Sequence, residues 1–91
     1  MNARHLRIEG RVHGVGYRDW LVQEASRLGL YGWVRNRRDG SVEAVVAGDA
    51  AAVQELLTLC RRGPALARVD RITESFAEPP AEPGFQRLPS L

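Results

Sequence analysis

Lysine is missing from this 91-residue chain, cysteine occurs once and histidine twice, and aromatic residues make up only 7%. Each scarcity excludes something. A single cysteine, Cys60, can form neither an internal disulfide nor a metal site by itself, so no oxidising compartment is implied. Two histidines and no paired carboxylates or cysteines at ligand spacing leave no convincing metal set, and no metal or other cofactor is expected. No apolar run approaches the roughly 18 residues of a membrane span. The opening residues, MNARHLRIEG, lack the apolar stretch of a signal peptide. The expectation is a cytoplasmic protein with no membrane partner.

All 13 basic residues are arginine, and the formal net charge is only +2. Such a surface favours anionic ligands. It falls well short of the dense basic stripe of a dedicated nucleic-acid binder, so no nucleic-acid partner is expected. Apolar residues make up 44% and charged residues 26%, ordinary values for a globular domain. At this length one core is the limit, and a single domain over residues 1–91, acting as a monomer, is the natural reading.

What is present has a clear order. Leu6 and Ile8 alternate with Arg7 and Glu9, the period-two pattern of a half-buried strand over Arg4 to Glu9. From Asp19 the period lengthens, with Leu21, Ala25 and Leu28 at helical spacing and Gly29 as a stop. Tyr31 to Arg37 and Val42 to Ala47 are strand-like, and the Asp39-Gly40 pair between them signals a hairpin. Asp49 reads as a helix N-cap. Val53, Leu56, Leu57 and Cys60 follow on one face, and Gly63-Pro64 ends that helix. Arg68 to Phe76 gives a less regular fourth strand suited to an edge, with Val69 and Ile72 out of phase around a bulge. A proline-rich loop then precedes a short fifth strand near Phe85 to Leu88. The order β-α-β-β-α-β predicts an α+β, ferredoxin-like sandwich, with two helices on one face of an antiparallel sheet and a short fifth C-terminal strand.

The chemistry-bearing segment lies between the first strand and first helix: Gly10-Arg11-Val12-His13-Gly14-Val15-Gly16-Tyr17-Arg18. Its glycines allow a tight turn that exposes amides, and the helix start adds unsatisfied N–H groups and a positive dipole end. Arg18 adds a planar cation able to grip two phosphate oxygens. The pattern has neither the third glycine of a dinucleotide fingerprint nor the Gly-Lys-Ser/Thr ending of a P-loop. On composition alone, a bare strand-to-helix turn explains these glycines as well as an anion site does. Asn36 alone reads more readily as a turn residue near the hairpin than as a catalytic one.

Two motifs together go further. GRVHGVGYR at 10–18 and GWVRNRRDGSVEAVVAG at 32–48 resemble the two signatures of the acylphosphatase family, in order and at the expected separation, and the likeness covers nearly the whole chain. That resemblance implies metal-independent hydrolysis of small acyl phosphates to carboxylate and inorganic phosphate. It implies that the amides of His13, Gly14, Val15, Gly16, Tyr17 and Arg18 cradle the phosphate, that Arg18 clamps it, and that Asn36 positions the attacking water. His13 departs from the family, which commonly has glutamine there, while Tyr17 stands where Phe or Tyr is usual. A phosphohistidine role for His13 lacks support, because no second histidine or carboxylate is placed to activate it. A ferredoxin-like RNA-binding module is disfavoured, because Val42 to Ala47 carries no stacking aromatics. Trp20, Trp33, Phe76 and Phe85 read as core or substrate-groove residues, and Arg35, Arg37 and Arg38 as a solvated hairpin face.

Overall fold

Period-two alternation becomes a sheet with two unlike faces. In the computed structural model, which describes residues 2–91 and so leaves Met1 outside the described residues, the order is β1 (Asn2–Arg11), α1 (Tyr17–Arg27), β2 (Tyr31–Asn36), β3 (Val42–Gly48), α2 (Ala50–Arg62), β4 (Arg68–Phe76) and β5 (Phe85–Arg87). Leu6 and Ile8 of β1, Val34 of β2, and Val42, Ala44 and Val46 of β3 are fully buried on one face. There α2 packs over β1, β3 and β4, and α1 over β2 and β5. Leu21 and Ala25 from α1, with Val53, Leu56, Leu57 and Cys60 from α2, complete one continuous core. None of the helices among the described residues is long and apolar enough to cross a membrane.

The strand order is β4-β1-β3-β2-β5. The β1–β4, β1–β3 and β2–β3 pairs are antiparallel, whereas β5 joins β2 in parallel, which makes the five-stranded sheet mixed. Topology explains the parallel pair. Phe76, Arg4, Val46 and Gly32 occupy one row across the sheet, so β4 finishes at the end where β2 begins. A connection along that end, over residues 77–84, can enter β5 only in the direction of β2. At the opposite end β1, β2 and β5 finish, α1 starts and α2 stops, and the first signature lies among them.

Local signals resolve as their chemistry requires. Asp49 caps α2 by accepting from the Ala52 amide at 3.2 Å. Asp39 Oδ1 accepts from both the amide and the hydroxyl of Ser41 at 2.9 and 2.6 Å, closing the β2–β3 hairpin. In β4, Asp70 is the extra residue of a bulge, since Arg71 pairs with Glu9 and Val69 with Gly10. Burial pushes the Cys60 thiol up to about 12, as befits a core residue. Helix α1 starts at Tyr17, two residues earlier than Asp19, and Gly16 stands at its N-cap.

Two expectations are corrected. Phe76 is neither core nor groove: it is 85% exposed, with the Arg4 guanidinium 4.7 Å from its ring centroid. Arg35 and Arg37 are not simply solvated. Both donate to Glu43 Oε1, at 2.8 and 2.9 Å, while His5 Nε2 donates to Glu43 Oε2 at 2.7 Å. Side chains that alternate away from the core thus meet as a charged cluster on the helix-free face. Arg35 also covers Trp33, at 4.8 Å from the ring centroid, whereas Trp20 and Phe85 are partly buried against the core.

Partial burial opposes ionisation of Glu43, but the hydrogen bonds from His5, Arg35 and Arg37 outweigh it and hold the carboxyl down at about 2 instead of 4.5. A depressed carboxylate stabilises the fold fully above its unfolded value, and that contribution is lost as pH falls from about 4.5 towards about 2. Glu43→Gln should flatten this acid limb when urea midpoints are compared at neutral and acid pH. An unchanged limb would remove Glu43 as its source.

Candidate active site

Five residues, 12–16, join β1 to α1. Gly14 and Gly16 adopt φ of 70° and 78°, while no non-glycine residue among those described has positive φ, so the handedness alternates through Val15. Alternation of this kind turns successive N–H groups towards one side and makes a concave anion nest. A Cβ on Gly14 or Gly16 would meet nothing within 4 Å, so the requirement for glycine is conformational and not one of crowding. Among the described residues, no protein acceptor takes the amides from His13 to Asp19. Those of Tyr17, Arg18 and Asp19 belong to the first turn of α1, where a helix leaves its N–H groups unpaired and its dipole favours negative charge.

The nest is held from below. Tyr17 is buried and donates its hydroxyl to the carbonyl of Cys60 at 2.7 Å, which pins the start of α1 to the end of α2. Burial is the main cause of its strongly raised pKa, so it remains a neutral donor. Its ring packs on Trp20 with centroids 5.3 Å apart. Val12 is buried and Val15 half-buried against the core, so Val15 offers the site its backbone and not its side chain. His13 reaches sideways, with Nε2 2.8 Å from the Ser41 carbonyl oxygen.

Charge completes the hollow. Gly14, Gly16, Tyr17, Arg18, Asp19 and Arg87 line a depression of about 170 Å³. Arg87 donates to Asp19 at 2.6 Å, whereas Arg18 makes no hydrogen bond or ion pair among the described residues. Partial burial, then the neighbouring Arg87 charge, lowers the Arg18 pKa, and Asp19 works against both. A guanidinium so placed stays charged and gains from an anion.

Asn36 ends β2 at the same end of the sheet, two residues beyond core-facing Val34. Its Oδ1 is buried and accepts no hydrogen bond from any described group. Leaving such an acceptor unmet costs about 1–3 kcal/mol, which calls for a compensating role. Asn36 and His13 line a second hollow, of about 300 Å³, with Arg37, Arg38, Ser90 and Leu91. The loop therefore borders two hollows, one holding Arg18 and the other Asn36. Arg87 and Ser41 escaped the sequence reading, because a three-residue strand has no periodicity and a serine after Asp-Gly reads as turn chemistry. No group of three His, Cys, Asp or Glu side chains among the described residues could hold a metal ion.

The acylphosphatase family model matches residues 4–87. The acylphosphatase of Acidiphilium cryptum is 68% identical over 85 residues, covering 93% of each chain. That of Azorhizobium caulinodans is 58% identical over 83 residues, covering 90% of this chain and 89% of its own. The crystal structure of acylphosphatase from Bacillus subtilis superposes with a TM-score of 0.91 at 30% identity, over 97% of this chain and 99% of that one.

Gly16→Ala would force a Cβ into the left-handed region and should cost about 1–2 kcal/mol. Tyr17→Phe should cost about 1–3 kcal/mol by leaving the Cys60 carbonyl unmet. Urea denaturation at neutral pH measures both, and wild-type midpoints in either variant would contradict the strut described for this loop.

Proposed function

The chain belongs to the acylphosphatase family, and from that membership we propose that it hydrolyses the carboxyl–phosphate anhydride of small acyl phosphates to carboxylate and inorganic phosphate. The observation that carries this reading is the run of amides from His13 to Asp19, which among the described residues have no protein acceptor and lie beside an Arg18 with no ion-pair or hydrogen-bond partner. Such donors suit the three equatorial oxygens of a phosphoryl group in transfer.

Water held by Asn36 attacks phosphorus in line. The new P–O bond forms as the bond from phosphorus to the carboxylate oxygen breaks, the carboxylate leaves with the bonding electrons, and the protons of water pass to the phosphate product and to solvent. A carboxylate is a good leaving group, so positioning and charge stabilisation suffice and no cofactor is used. Asn36 supports this step as a group that can donate and accept without titrating and that lines the hollow beside the loop. Arg18 and the loop amides stabilise the charge that spreads over the phosphoryl oxygens. The same reading makes the protein a cytoplasmic monomer acting on a small molecule, without nucleic-acid or membrane partners.

The decisive assay is hydrolysis of a simple acyl phosphate with a chelator present, which also separates an enzyme from a binding protein built on the same loop. Arg18→Ala should lower kcat/KM about a thousandfold. Asn36→Ala should lower kcat roughly a hundredfold while phosphate still binds. Full activity in either variant would remove that residue from the mechanism.

A further inference from the structure

The ring of His13 belongs to the phosphate loop, yet it is tethered outside it. Its Nε2 lies 2.8 Å from the Ser41 carbonyl oxygen, and a carbonyl can only accept, so Nε2 carries the hydrogen. Nδ1 has no hydrogen-bond partner among the described residues. The anchor is rigid. Ser41 is buried, its carbonyl also accepts from the Arg37 amide at 2.9 Å, and its amide and hydroxyl donate to Asp39. Asp39 in turn accepts from Arg7 of β1 at 2.7 Å.

We propose that His13 is a positioning residue whose side chain ties the phosphate loop to the β2–β3 hairpin and so holds the anion-binding amides in place. The inference rests on the phosphate-binding reading above. The ring's neighbours in its hollow are Asn36 and Arg37 from β2, Arg38 from the turn, and Ser90 and Leu91 from the tail, while Arg18 and Asp19 of α1 and Arg87 of β5 lie on the other side of the loop.

Sulfate is the probe, because it is a tetrahedral dianion and is not turned over. Calorimetric titration compares wild type, His13→Gln, His13→Ala and His5→Gln at neutral pH. His5→Gln, on the helix-free face, should bind as wild type does. His13→Gln keeps an N–H for Ser41 and should bind within about twofold of wild type, whereas His13→Ala, with no donor, should bind about three- to tenfold more weakly, as the loss of one hydrogen bond predicts. With an acyl phosphate, His13→Ala should raise KM by a similar factor, and His13→Gln should restore it.

Equal affinities of the Ala and Gln variants, or a wild type that binds no sulfate, would overturn the tether. A protein that showed this ranking of sulfate affinities but left acyl phosphates intact would sink the hydrolytic reading and leave this one standing.

Discussion

Convergent amides without protein acceptors among the described residues oppose the folded state that contains them. Turned towards one side their dipoles repel, and none contributes a hydrogen bond of its own to the fold. A short loop can hold them together only if its neighbours leave it no alternative. Here those neighbours are the left-handed glycines at 14 and 16, the Tyr17 strut to Cys60, the apolar side chains of Val12 and Val15, and the His13 tether. The packing of α2 on the sheet is thus part of the site, because the carbonyl that receives Tyr17 belongs to its last turn. Three strand ends and two helix ends meet at one edge of the molecule, and this convergence lets a domain of 91 residues hold these amides together.

Charge is distributed unequally over the two faces of the sheet. On the helix-free face Glu43 gathers His5, Arg35 and Arg37, and Arg7 pairs with Asp39, so each of these basic groups has an acidic partner. At the loop the balance runs the other way. Asp19 occupies Arg87 and leaves Arg18 uncommitted among the described residues, and the dipole of α1 adds to it. A chain with little net charge can therefore present a locally positive hollow.

Much of this was legible in the residues. The alternation of Leu6 and Ile8 with their polar neighbours marked the buried face of β1. Asp39-Gly40 marked the hairpin, Asp49 the cap, and the phase slip between Val69 and Ile72 the bulge now assigned to Asp70. These signals are local, and local chemistry carries them. The rest depends on where the chain returns. Arg87 reaches the loop because β5 runs alongside β2, a fact set by the end at which β4 stops and not by any pattern in Phe85-Gln86-Arg87. Arg35 and Arg37 looked solvated because a polar position on an uncovered strand face reads the same whether its partner is water or a carboxylate on the next strand. Of the site itself, the loop glycines and Arg18 were visible as an anion motif. The partnerless oxygen of Asn36 could be seen only once its surroundings were in place.

The bulge at Asp70 also affects how the molecule meets its own kind. A sheet edge is a row of unpaired donors and acceptors, and a long, flat, apolar one recruits further chains. At one border of this sheet, β5 is only three residues long. At the other, β4 spans nine residues but is broken by the extra residue and carries Arg68, Asp70, Arg71 and Glu74. A strand arriving from another copy would have to break register at Asp70 and desolvate several charges, so the fold keeps an open border without offering a template for growth.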